Sequence, residues 1–111
     1  MDEPPLEISC QQVEQQLQDG KQFLLLDCRE EEEHALVALR DAQLLPMSQL
    51  QQRVNELADH KKKPVVVFCH HGMRSAQVAA WLRQQGFPLA QSLSGGIDRW
   101  AIEVEPGMVR Y

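Results

Sequence analysis

The sequence predicts an α/β fold, with a central, mostly parallel sheet of five strands and helices on both of its faces, in one domain spanning residues 1–111. Three observations lead there. Short continuous apolar runs, of which "VVVFC" at residues 65–69 is the most β-prone, have the composition of strands buried on both sides. Between them lie stretches whose apolar residues recur at helical spacing, so strand and helix signals alternate along the chain, and that order implies parallel strands. Finally, 111 residues without an internal repeat, low-complexity linker or second domain boundary suffice for one hydrophobic core and not for two.

The elements follow in order. A short strand is expected at residues 6–8. In "SCQQVEQQLQDG" Ser9 and Gln12 have capping-box spacing, Val13 and Leu17 share a helical face, and Gly20 offers a left-handed stop. "FLLLDC", residues 23–28, is a continuous apolar run ending in a charge, as a buried parallel strand requires. "REEEEHAL" reads as helix, its four glutamates suited to the positive end of a helix dipole. "AQLLPM" is a weaker strand closed by Pro46. Ser48 and Gln51 repeat the capping-box spacing before a helix that carries Leu50, Val54 and Leu57 on one face. After the charged turn "KKKP", "VVVFC" is expected at the centre of the sheet. A helix from Ser75, striped by Val78, Ala79 and Leu82, ends at Gly86, and "AQSL" forms the last strand before Gly95 and Gly96.

Charge narrows the classes of function. Sixteen acidic against eleven basic residues give a net charge of -5, which disfavours nucleic acid and anionic membrane as partners, because both need clustered positive charge. No segment approaches the roughly 20 apolar residues of a membrane span, and the acidic, proline-containing start "MDEPPLEI" is unlike a signal peptide. A cytoplasmic location is the resulting expectation. Cys10, Cys28 and Cys69 are odd in number and widely spaced, which argues for reduced thiols rather than a disulfide framework.

The chemistry is concentrated in "CHHGMRS", residues 69–75, between the central strand and the next helix. In open α/β sheets ligands bind beyond the carboxyl ends of the strands, where a tight strand-to-helix loop aims several backbone N–H groups at one point. Cys69 is expected at the base of that loop, with its pKa lowered to give a nucleophilic thiolate. Gly72 permits the tight backbone, Arg74 adds a permanent forked cation, and His70 and His71 can add partial positive charge. The implied substrate is a small anion cradled by His70, His71, Gly72, Met73, Arg74 and Ser75. Cysteine-dependent phosphatases place five residues between nucleophile and arginine, whereas four separate Cys69 from Arg74. The tighter ring leaves less room for a phosphoryl group but can enclose one sulfur atom.

These residues resemble the rhodanese family, specifically its single-domain members. Cys69, Gly72 and Arg74 match its six-residue active-site loop. Asp27, Arg29 and Glu30 in "LLLDCREEEEH" are similar to its Asp-x-Arg-Glu motif, and Gly95, Gly96 and Trp100 in "LSGGIDRW" match its Gly-Gly segment followed by tryptophan. The resemblance implies a rhodanese-like domain acting as a sulfurtransferase. Cys69 would take the outer sulfur of thiosulfate or a related donor and pass it, as a persulfide, to cyanide or a thiol acceptor, a protein thiol included, with no cofactor or metal. Two departures stand out. "VALRDAQLLP" lacks the histidine and glycine usual between the second and third strands, and His70 occupies a position that is often arginine. Alternative readings are a sulfur-carrying or regulatory binding module and, with less support from the loop length, a phosphatase or arsenate reductase.

Other residues have plainer readings. Asp27 and Arg29 are expected to form an internal ion pair that braces the loops. Cys28 reads as a packed core residue, with relay of sulfur or a protective disulfide to Cys69 as the lesser alternative; Cys10 reads as incidental. Cys69, His70 and His71 are consecutive and unsuited to share one tetrahedral zinc ion.

Overall fold

The computed structural model describes residues 3–111. Five strands, β1 (Glu7–Ile8), β2 (Leu24–Asp27), β3 (Gln43–Leu44), β4 (Val65–Phe68) and β5 (Ala90–Leu93), form one sheet in the order β1-β5-β4-β2-β3. Every pairing is parallel. The "VVVF" strand occupies the centre, as its composition demands, and its four residues are all buried.

Alternation along the strands divides the core in two. Leu24, Leu26 and Cys28 join Val65, Val67 and Cys69 on one face, covered by Leu50, Leu57, Val78 and Leu82. Leu25, Val66 and Phe68 face the other way, against Val13, Ile97 and Trp100. The first face therefore carries α3 (Leu50–Arg53) and α4 (Met73–Gln84), and the second carries α1 (Cys10–Gln18) and α5 (Gly96–Glu103). A further helix, α2 (Glu31–Leu36), follows β2 and buries none of its residues.

Several local signals act as their chemistry dictates. Ser9 and Gln12 form the reciprocal capping box of α1, and Gly86, at φ +97°, lies two residues beyond the end of α4. Three expectations are corrected. The segment after Pro46 is not one regular helix: Met47–Gln49 and Val54–His60 are 3₁₀ turns flanking the single α-turn of α3. Ser48 does not cap it, because its hydroxyl donates instead to Glu30 Oε1 at 2.7 Å and so ties this segment to the start of α2. Helix α4 begins at Met73 rather than Ser75, its N-cap being Gly72 in a left-handed conformation (φ 103°). The helix over residues 96–103 has no counterpart in the expectations. Its signal was nonetheless present, since Ile97, Trp100 and Ala101 stand three and four apart and are buried together.

Candidate active site

The residues after β4 curl into a loop whose first carbonyls are turned toward α5. Two of them are held by the first turn of α5: Ile97 N–H donates to the Cys69 carbonyl at 2.9 Å and Asp98 N–H to that of His70 at 3.1 Å. Such close docking requires glycine. A Cβ on Gly96 would lie 2.5 Å from the Cys69 oxygen and 2.4 Å from the His70 oxygen, and Gly96 has φ +63°. The Gly-Gly pair thus sets the loop backbone from behind.

With those carbonyls turned toward α5, N–H groups converge on sulfur. Gly72 N–H donates to Cys69 Sγ at 3.1 Å and Ser75 N–H donates at 3.3 Å, while Ser75 Oγ lies 3.4 Å away. Ser75 is itself buried and shares a 2.8 Å hydrogen bond with buried Ser92 of β5. With Ser92 donating to Ser75, the one Ser75 proton is shared between Cys69 Sγ and the Gly72 carbonyl 3.2 Å away. No local signal in the sequence marks Ser92; only the strand pairing that sets β5 beside β4 brings it within reach.

These contacts hold Cys69 as a thiolate. Its pKa is pushed down to about 4, first by a hydrogen bond from the Cys28 thiol, then by the Ser75 hydroxyl and the N–H groups of Ser75 and Gly72, against the opposing effect of burial. The same proximity, with burial, drives Cys28 the other way, so that it keeps its proton. Cys69 is only 1% exposed. A charge so buried persists because its donors satisfy it.

Arg74 lies differently from the free cation of the sequence reading. Its two terminal nitrogens each donate to Glu33 of α2 at 2.8 Å, a bidentate pair that holds the Glu33 carboxyl down at about 2. Tyr111 completes this side: its hydroxyl donates to Glu33 Oε1 at 2.8 Å and accepts from Arg29 Nη1 at 2.9 Å, while its ring stacks on His70 with centroids 3.8 Å apart. His71 points outward, 3.9 Å from Asp98 Oδ2, and Met73 is 78% exposed at the rim. His70 Nε2 is buried and has no hydrogen-bond partner among the described residues.

Asp27 and Arg29 are both fully buried and paired through two side-chain contacts, Nε to Oδ1 at 2.9 Å and Nη2 to Oδ2 at 2.7 Å. Arg29 also reaches the Val37 carbonyl, and His34 Nδ1 lies 2.7 Å from Asp27 Oδ2. This network ties β2 to α2 and stays off the sulfur. Cys10 packs on the opposite face of the sheet and donates weakly to the Ser94 carbonyl. Among the described residues no three His, Cys, Asp or Glu side chains converge to hold a metal, and no helix is long and apolar enough to cross a membrane. A surface cavity lined by Lys21, Phe23, Pro64 and Leu89 opens at the other end of the strands, far from this chemistry.

A parallel α/β domain with a buried cysteine in the strand-to-helix loop beyond its central strand has the architecture of the α/β domains whose ligands sit at the carboxyl ends of their strands. Comparison with known proteins narrows this: residues 9–103 match the family described as rhodanese-like domain, and the chain belongs to that family. A protein named sulfurtransferase from Allochromatium vinosum is 39% identical, across 86% of this chain and 87% of its own length. Longer relatives include the adenylyltransferase and sulfurtransferase MOCS3 of Arabidopsis thaliana, 30% identical over 94% of this chain, which spans only 25% of that protein. Among solved structures, a rhodanese-related protein from Thermoplasma volcanium superposes with a TM-score of 0.79 at 27% identity, covering 95% of this chain and 98% of its own.

Proposed function

We propose that Cys69 is the nucleophile of a sulfurtransferase that accepts sulfane sulfur from thiosulfate or a related donor. The thiolate attacks the outer sulfur, the S–S bond of thiosulfate breaks, and sulfite departs with the bonding electron pair. The persulfide left on Cys69 is then attacked at its outer sulfur by cyanide or a thiol, which restores the Cys69 thiolate. The observation that carries this reading is the convergence of Gly72 N–H, Ser75 N–H and Ser75 Oγ within 3.1–3.4 Å of Sγ. Such donors stabilise a sulfur anion before and after transfer, as an oxyanion hole does for oxygen. His70, His71, Gly72, Met73, Arg74 and Ser75 form the cradle, and Asp27 and Arg29 support it.

The positive charge that would orient an anionic donor is partly neutralised here, since Arg74 is paired with Glu33. That arrangement fits a donor or acceptor that displaces Glu33 or carries its own recognition surface. Names that couple adenylyltransferase with sulfurtransferase among the longer relatives are compatible with a macromolecular acceptor, and three free cysteines suit a reducing compartment such as the cytoplasm.

Intact mass of the reduced protein before and after thiosulfate, followed by cyanide, tests the reading. Wild type gains one sulfur atom and loses it as thiocyanate forms, while Cys69→Ser does neither. Sulfur gain by Cys69→Ser would remove Cys69 from the role, and turnover of an aryl phosphate by wild type would replace sulfur transfer with phosphoryl transfer.

A further inference from the structure

Cys28 is the buried nucleophilic group that sulfur transfer to an external acceptor does not use. Its position is set by the sheet. In the register of β2 on β4, Asp27 lies opposite Phe68, and Cys28 N–H continues the ladder by donating to the Phe68 carbonyl at 3.2 Å. The next pair across is Cys28 and Cys69. Both side chains project to the same face and enter the same core cluster, and the Cys28 sulfur lies 3.4 Å from the Phe68 carbonyl oxygen. Neighbouring strands stand about 4.7–4.9 Å apart, inside the range of about 4.4–6.8 Å between Cα atoms that a disulfide spans. Cys10 is on the other face of the sheet and takes no part.

We propose that Cys28 is a resolving cysteine: when no acceptor arrives, it attacks Sγ of the Cys69 persulfide and releases the stored sulfur as sulfide. The inference rests on the persulfide reading above. The Cys28–Cys69 bond forms as the bond between Sγ and the outer sulfur breaks, and the departing sulfur takes the electron pair and the Cys28 proton. Cys69-S-S⁻ and Cys28-SH thus become a Cys28–Cys69 disulfide and HS⁻. No external oxidant is needed, because the persulfide is already at the oxidation level of a disulfide. An external thiol then reduces the disulfide and returns the enzyme to its starting state.

Access decides which sulfur is attacked. Cys28 is wholly buried in the core cluster it shares with Cys69, so it can reach Sγ from within the protein, whereas an external acceptor must enter from solvent. Burial also holds the Cys28 proton, which makes the step slow and lets a ready acceptor win. Sulfide release is thereby confined to idle enzyme.

The test loads wild type, Cys28→Ser and Cys28→Ala with thiosulfate under anaerobic conditions and removes the donor. Intact mass and released sulfide are then followed without acceptor. Wild type should lose its sulfur, release one equivalent of sulfide and finish two hydrogen atoms lighter than the reduced protein, with the disulfide mapped to Cys28 and Cys69. The variants should retain their sulfur about tenfold longer or more, since Cys10 is on the other face of the sheet and no thiol beside Cys69 remains to attack. A wild-type persulfide as long-lived as that of the variants, or a disulfide mapped to Cys10 or between two chains, would overturn the inference and leave sulfur transfer intact. Failure of wild type to take up sulfur at all would overturn both readings. The mapped wild-type disulfide decides the matter even where a variant loads poorly.

Discussion

Removal of the Ser75 hydroxyl asks how much of the Cys69 thiolate depends on it. In Ser75→Ala the backbone N–H of residue 75 still reaches Sγ, so what is lost is the hydroxyl 3.4 Å from sulfur, together with its links to Ser92 and to the Gly72 carbonyl. A hydrogen bond to a charged group contributes about 1.5–3 kcal/mol, and one pKa unit corresponds to about 1.36 kcal/mol. The Cys69 pKa should therefore rise from about 4 by about one to two units. The assay is the rate of alkylation by iodoacetamide, with thiolate absorbance, followed across the acid range. The sign is fixed by thiolate being the reactive form: each curve falls as pH drops through the pKa, and the variant falls first. Thermal unfolding run alongside separates this from a general loosening, because the orphaned Ser92 hydroxyl costs about 1–3 kcal/mol of stability by itself. Coincident curves for wild type and a folded Ser75→Ala would refute the role given to the hydroxyl and leave the thiolate to Cys28 and the backbone.

Two more outcomes follow from the geometry around the loop. Gly96→Ala places a methyl group 2.4–2.6 Å from the backbone of Cys69 and His70 at a positive φ, and should cost at least about 2 kcal/mol in urea unfolding and slow Cys69 alkylation; an unchanged midpoint and rate would show that α5 does not shape the loop. Glu33→Gln removes the partner of Arg74, and should lower KM for thiosulfate by about two- to fivefold with little change in kcat, the scale of a partly exposed ion pair; a KM that rises instead would mean that the pair itself, not free Arg74, forms the binding surface.

Local chemistry made much of this fold legible. The Ser9 and Gln12 capping box and the unbroken apolar run of β4 are short-range signals, and short-range interactions decide those elements. The family motifs likewise placed Cys69 in a loop beyond the central strand. What the sequence hid are contacts between distant parts of the chain. Ser48 has the spacing of a cap, but Glu30, eighteen positions away, claims its hydroxyl. Arg74 has the look of a free cation until α2 brings Glu33 to it across 41 positions, and nothing near Tyr111 indicates that it will stack on His70. Helix α5 is masked in the sequence because its two leading glycines carry the signal of a turn, although in the fold they end a loop and begin a helix.

The way the loop is fastened also bears on how its length could change over evolution. The carbonyls of Cys69 and His70 are tied to α5, and that of Gly72 to the Ala76 N–H and Ser75 hydroxyl. Among the described residues no such tie holds the His71 carbonyl. An insertion between His71 and Gly72 would thus enlarge the ring while both anchors stayed in register, whereas one beside Cys69 would shear the loop from α5. A change in the size of anion accommodated needs only one codon at one joint, and the rest of the scaffold can be inherited unaltered.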